Sequence, residues 1–306
     1  MKQASISRRS SLKLFVLSGT TVLAMPSILW SAKNDVKPLR FGIITDSHYA
    51  DREPAGTRFY RDALPKMKEA IEALNEAQLD FLIHLGDFKD QGAEANQQDT
   101  LKYLQEIETV FQTYKGDGYH ALGNHDVDSI RKTDFLDTIK NTGQKQAKSY
   151  YSFETSGFVC VVLDANYDAQ GTDHFYAEGA DWEDANIPQE ELRWFKQTLS
   201  QAQKPVLVFC HHPIYPFYKE GSKFHVTNHQ EVQEVMEASQ KVIACFHGHV
   251  HKEEFKTIKG IHYITQLGMV DYEGLGNNSF SIVELDEAHL KIQGFKRASD
   301  YKTRLK

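Results

Sequence analysis

The chain has 306 residues, 41% hydrophobic and 25% charged, with a formal net charge of −7. This is the composition of an ordinary globular protein, with enough length for one large domain and a substantial core. The first 32 residues hold Lys2, Arg8, Arg9 and Lys13 and no acids, so taking four positive charges from −7 leaves −11 on the remainder. Such an acidic remainder argues against nucleic-acid binding as the main task, since polyanion binders show a basic stripe.

Residues 1–32 read as an export signal. Ser7-Arg8-Arg9-Ser10-Ser11-Leu12-Lys13 is a twin-arginine signature followed by an apolar run to about Trp30. Gly19, Thr20, Thr21 and Pro26 interrupt that run, so no stable membrane span is expected. Ala24 and Ala32 both remain open as cleavage sites. The reading implies the twin-arginine export machinery as a partner, which carries folded proteins, and a periplasmic or secreted location. Cys160, Cys210 and Cys245 lie in apolar strand-like runs and read as buried small hydrophobes rather than a disulfide framework.

From residue 39 apolar runs alternate with helical patterns. Leu39–Thr45 reads as a strand, and Tyr60–Ala77 as an amphipathic helix with Leu64, Met67, Ile71 and Leu74 at helical spacing. Phe81–Leu85 is a strand, Leu101–Tyr114 a helix and Gly118–Leu122 a short strand. Tyr150–Phe153 and Phe158–Leu163 form a strand pair turning at Ser156-Gly157. A helix over Glu190–Ala202, a strand over Val206–Cys210, a helix over His229–Ser239 and a strand over Val242–Phe246 follow. Ile261–Gln266, Ser279–Leu285 and Leu290–Phe295 close the chain with antiparallel character. No repeat or linker interrupts residues 39–298, so residues 33–306 are expected to form one domain. The strands exceed what one parallel sheet needs, which predicts two packed sheets with helices outside.

Five motifs follow directly on such elements: Asp46-x-His48, Gly86-Asp87-x-x-Asp90, Gly123-Asn124-His125-Asp126, His211-His212-Pro213 and Gly248-His249-x-His251. Carboxylate, amide and imidazole donors suit Mn, Fe and Zn ions. Their number is too large for one tetrahedral ion and right for two ions sharing a carboxylate, a centre that breaks phosphorus–oxygen bonds. Asp46 with His48, and His249 with His251, are two apart, so each pair can face one side where the backbone is extended. The glycines before Asp87, Asn124 and His249 are expected to allow tight turns.

In this order the motifs resemble the calcineurin-like metallophosphoesterase superfamily over essentially the whole chain after the signal. The stretch from Asp46 through Tyr60-Arg61, Tyr150-Tyr151-Ser152-Phe153 and Thr227-Asn228-His229-Gln230-Glu231-Val232 looks like its manganese-dependent ADP-ribose/CDP-alcohol diphosphatase branch. His48 stands where that branch often has glutamine. The resemblance implies a four-layer α/β/β/α sandwich of two mixed β-sheets flanked by helices. It also implies two divalent ions (Mn, Fe or Zn), one held by Asp46, His48, Asp87 and His251, the other by Asp87, Asn124, His211 and His249. His211 is preferred over His212 as the ligand because it is the first residue of the family's His-x-Pro motif. Asp90 replaces the tyrosine ligand of purple acid phosphatases, so a tyrosinate–iron(III) site is not expected and Asp90 is placed behind the ligands.

His125 is the expected general acid, with Asp126 orienting its ring, and a metal-bridging hydroxide is the expected nucleophile. Tyr49, Arg58 and His212 are candidates for substrate contact, Arg58 through a phosphate. Two long loops, Asn166–Ile187 and Tyr215–Asn228, carry aromatic residues at strand ends, where binding lids and solvated insertions are both found. The expectation is an exported hydrolase of phosphodiester or nucleotide-type diphosphate bonds in small phosphorylated substrates. A broad-specificity phosphomonoesterase is the rival, and a non-catalytic metal-stabilised module the alternative from another class.

Overall fold

Strand and helix patterns resolve into a four-layer sandwich in the computed structural model, which describes residues 38–217 and 223–305. The expected export signal lies outside those residues. The strands are β1 (Leu39–Ile44), β2 (Phe81–His84), β3 (Gly118–His120), β4 (Tyr151–Thr155), β5 (Phe158–Leu163), β6 (Val206–Cys210), β7 (Val242–His247), β8 (Glu254–Ile258), β9 (Ile261–Thr265), β10 (Ser279–Leu285), β11 (His289–Lys296) and β12 (Tyr301–Arg304). One sheet runs β12-β11-β10-β1-β2-β3 and the other β4-β5-β6-β7-β9-β8. Both are mixed: β1, β2 and β3 are parallel, as are β5, β6, β7 and β9, while β10 to β12, β4 and β8 pair antiparallel.

Strand alternation sorts the side chains into layers. Phe41 and Phe81 stack at 4.7 Å and meet Phe209 of β6 edge-on at 5.7 and 6.1 Å, which joins the two sheets face to face. Val206, Val208 and Cys210 point the other way, into the core beneath α4 (Gln189–Gln201) and α5 (His229–Ser239). Cys210 therefore faces away from the donors, and all three cysteines are free and buried. On the opposite outer face α1 (Ala63–Asn75) buries Ala63, Met67, Ala70, Ile71 and Leu74, and α2 (Gln97–Phe111) buries Tyr103, Leu104, Ile107 and Phe111. Asn96 caps α2 by accepting from the Asp99 amide at 2.8 Å. A short helix, α3 (Lys132–Thr138), lies beside it. Among the described residues no helix is long and apolar enough to cross a membrane.

One polar residue on the inner stripe of α1 fastens the layer to a loop. Lys66 is fully buried, and its Nζ donates to the carbonyls of Met269, Asp271 and Tyr272 at 3.0, 3.1 and 2.6 Å. Lys66→Met fills the space but leaves three acceptors without this donor. The expected cost is about 3 kcal/mol, a melting point lower by roughly 6–12 °C at this domain size, to be read from thermal unfolding followed by circular dichroism.

Candidate metal centre

Parallel pairing sets the carboxyl ends of β1, β2 and β3 side by side, and likewise those of β6 and β7. Each of those strands runs straight into one motif, the placement that gathers ligands in α/β sheets. The turns are then tied to one another through backbone. Asp46 N donates to Gly86 O at 3.0 Å, His48 N to Asp87 O at 2.9 Å, Gly248 N to His211 O at 3.0 Å, and Val270 N to Asp46 O at 3.0 Å.

The expectation of extended backbone at the two spaced pairs is not met. Asp46, His48, Asp87, His249 and His251 all have φ between 47° and 68°. Left-handed turns, not pleat alternation, aim these side chains at one point, at a cost of about 1–3 kcal/mol each. The glycines also divide differently from expectation. Gly86 has φ +97°, whereas Gly123 and Gly248 permit close approach: a Cβ on Gly123 would lie 2.1 Å from Asp87 N, and one on Gly248 would lie 2.0 Å from Thr45 Oγ1.

The structure brings Asp46, His48, Asp87, Asn124, His211, His249 and His251 together in two adjoining groups. In the first, His251 Nε2 is 3.1 Å from His48 Nε2 and 3.4 Å from Asp46 Oδ1. In the second, Asn124 Oδ1 is 2.9 Å from His249 Nδ1 and 3.3 Å from His211 Nε2. Asp87 Oδ2 lies between the groups, 3.4 Å from His48 Nε2 and 3.2 Å from His211 Nε2.

The protons are accounted for on the far sides of the rings. His251 Nδ1 faces Asp271 Oδ2 at 2.9 Å and His211 Nδ1 faces Leu85 O at 2.9 Å. In the neutral form of each ring, these contacts place the proton on Nδ1 and leave an Nε2 lone pair aimed at other acceptors. Electron pairs converging at such distances fit divalent cations, which this N/O donor set suits. Burial by itself lowers a histidine's pKa. Around His251 the carboxylates of Asp46 and Asp271 outweigh it and raise the pKa to about 9, and at His211 Asp87 and Asp46 raise it to about 8. Desolvation leads at His249, which falls to about 3. The cluster thus carries a negative field that calls for cations.

Asp271 was not foreseen. It accepts from Thr57 Oγ1 at 2.7 Å as well as facing His251. Its place depends on the pairing of β7 with β9, so nothing local marks it. A carboxylate that orients a ligating imidazole also raises its basicity. Asp271→Asn is expected to weaken metal affinity about 10- to 100-fold, measurable by calorimetric titration of manganese into the metal-stripped protein.

His125 stands beside the donors. Its Nδ1 lies 2.9 Å from Asp128 Oδ2, its Nε2 lies 3.3 Å from Arg58 Nη1, and its amide donates to Asp87 Oδ1 at 2.8 Å. Burial works against its charged form, but Asp128, Asp90 and Asp87 hold its pKa well above the usual value. The orienting carboxylate is therefore Asp128, one 3-10 turn on, and not Asp126. Asp126 Oδ1 accepts from Phe88 N at 2.9 Å and Oδ2 from Gly123 N at 2.8 Å, which pins the second turn to the third. The i, i+3 spacing of His125 and Asp128 across the turn at His125–Val127 was the available signal.

Asp90 lies behind His48, its Oδ2 3.3 Å from His48 Nδ1, 3.6 Å from His125 Nδ1 and 3.6 Å from Arg58 Nη1. Of the three residues expected to touch substrate, only Arg58 lines the cavity. Tyr49 turns inward and donates to Glu106 Oε2 at 2.6 Å, with its ring against Tyr103. His212 is buried behind His249, ring centroids 4.4 Å apart.

A cavity of about 310 Å³ opens over the donors. It is lined by the donors Asp87, Asn124 and His249, by the charged and basic side chains Arg58, His125 and Asp128, and by the aromatic rings of Tyr176, Trp182 and Phe224. A larger depression of about 740 Å³ between α4 and α5 is lined by Leu192, Leu199 and Val235 among charged residues, away from the donor groups.

Residues 39–253 match the family model described as calcineurin-like phosphoesterase. A manganese-dependent ADP-ribose/CDP-alcohol diphosphatase from Arabidopsis thaliana is 25% identical over 84% of this chain and 94% of its own length. A probable cyclic nucleotide phosphodiesterase from Fibrobacter succinogenes is 25% identical over 71% of this chain and 74% of its own. Among solved structures, a dimetal phosphatase from Danio rerio superposes with a TM-score of 0.76 at 20% identity, over 88% of this chain and all of that one.

Proposed function

The chain belongs to the calcineurin-like phosphoesterase family and is a hydrolase of phosphoric esters, and from there we propose an exported enzyme that holds two divalent ions and cleaves phosphodiester or nucleotide-type diphosphate bonds in small substrates. The observation that carries the reading is Asp87, whose Oδ2 lies within 3.4 Å of an imidazole from each donor group, beneath a cavity that His125 and Arg58 also face. In this proposal Asp46, His48, Asp87 and His251 hold one ion, and Asp87, Asn124, His211 and His249 the other. When bound, such a pair would supply Lewis acidity and an activated water.

The remaining work belongs to the side chains around the cavity. Arg58 offers a planar, permanently charged fork to phosphate oxygens. His125, held by Asp128, delivers a proton from Nε2 to the departing oxygen. Arg58 Nη1 and His125 Nε2 are 3.3 Å apart, so one anion beside them can accept from both once His125 is protonated. A substrate phosphate is that anion. Asp90, within 3.6 Å of His48, His125 and Arg58, balances the three basic groups behind it.

Export rests on the twin-arginine signature at residues 7–13. It is tested by the mass of the protein recovered outside the cytoplasm, where an uncut chain would overturn a cleaved signal. The activity is tested on chelator-stripped protein restored with Mn, Zn or Fe(II) and offered an aryl monoester, an aryl diester and ADP-ribose or a CDP-alcohol. Diester or diphosphate turnover well above the monoester supports the proposal. Monoester preference would make the protein a phosphatase, and metal binding without turnover of any of the three would overturn it.

A further inference from the structure

Among the described residues four large apolar side chains are exposed, and two of them, Trp182 and Phe224, meet at the mouth of the cavity. They come from different loops. Their ring centroids are 5.9 Å apart with planes inclined at 53°, and they lie 6.1 and 6.2 Å from the ring of His249. The two loops are fastened beside them. Lys223 pairs with Glu183, Thr227 N donates to Ala185 O at 2.7 Å, and the Asn228 side chain both accepts from Ile187 N and donates to Ile187 O. Partly exposed aromatic surface from both loops is thus held next to the donor cluster.

We propose that Trp182 and Phe224 form a stacking wall for the planar base of a nucleotide substrate whose scissile phosphate lies over the donor cluster. This rests on the hydrolase reading above and adds the class of group attached to the phosphate. Phosphate oxygens fall to Arg58 and His125, which line the same cavity, and that leaves the aromatic rings to a flat, uncharged moiety. A cavity of about 310 Å³ suits a small ligand rather than a polymer. Stacking on an aromatic face accepts any base, so purine and pyrimidine nucleotides are both admitted.

The test uses the full chain loaded with manganese, with ADP-ribose compared against glycerophosphoglycerol, a diester with neither a planar nor a cationic group. Trp182→Ala and Phe224→Ala are each expected to raise the ratio of the two KM values about 10- to 100-fold, the range that loss of one stacking partner gives. Trp182→Phe keeps the ratio near that of the wild type. An unchanged ratio in both alanine variants would overturn the wall. An independent readout is tryptophan emission: AMP quenches it in the wild type and not in Trp182→Phe, where Trp30 and Trp194 remain. Should the loaded wild type turn over neither substrate, the hydrolase reading fails, and the quench alone decides. Quenching lost in Trp182→Phe upholds the wall, and no quenching in the wild type overturns it.

Discussion

Asp87→Asn is expected to abolish metal-dependent turnover and to lower the occupancy of both donor groups at once. Asp87 Oδ2 is the oxygen within 3.4 Å of His48 Nε2 and 3.2 Å of His211 Nε2, so its charge serves both sides. The amide removes that charge while tolerating the left-handed backbone at φ 53°, a region that asparagine enters more readily than most residues. Fold and turn therefore survive, and the loss is electrostatic. It should exceed the roughly 100-fold that losing an outer partner of a metal ligand produces. Asn124→Ala is the contrast, since the Asn124 side chain meets His211 and His249 of the second group and leaves Asp46, His48 and His251 in place. Metal content by atomic emission after dialysis, with turnover on the same samples, separates the two. Full metal content and activity in Asp87→Asn would show that the groups do not share this carboxylate.

His125→Ala is expected to lower kcat by a factor on the order of 10²–10⁴ when the departing oxygen must be protonated. With a p-nitrophenyl ester, whose leaving group departs as the anion, the same variant should lose far less. That split reads proton delivery specifically, because a purely structural loss would lower both. Asp128→Asn should follow His125→Ala in the same direction by about 10- to 100-fold, since the 2.9 Å contact orients the ring and favours its charged form. Asp126→Asn should act differently, by weakening the turn that its two oxygens hold through Phe88 N and Gly123 N. Equal kcat losses on both leaving groups in His125→Ala would remove the acid role.

Much of this organisation can be read from residue order. Apolar runs ending in Asp-x-His, Gly-Asp, Gly-Asn-His, His-His-Pro and Gly-His-x-His place the donors on strand ends, and the excess of strands implies the second sheet. What escapes are features decided by distant pairing or by backbone twist. β8 and β12 are half-exposed strands at the two sheet edges, with Lys256, Lys302 and Arg304 among them, and lack a continuous apolar run. α3 has only seven residues, too short for a helical period to emerge. The left-handed turns at five donors contradict local preference, the conflict expected where a site overrides propensity. Neighbours in sequence also misled. Asp126 is adjacent to His125 but on the wrong side of a 3-10 turn, and Tyr49 follows His48 yet points into the packing against α2.

The strand order carries a consequence for how the molecule comes into being. β1, which leads into Asp46 and His48, pairs on one side with β2 and on the other with β10, so that Leu39 lies opposite Leu285. A chain emerging from the ribosome at about 5–20 residues per second has its first two donors long before β10 exists to complete their sheet. His251 likewise waits for Asp271. Long-range closure of this kind is slow, because loop entropy is spent before the contacts form. The donor cluster is accordingly a late product of folding, complete only once β10 and Asp271 are in place, and cation uptake would mark molecules that have reached that stage.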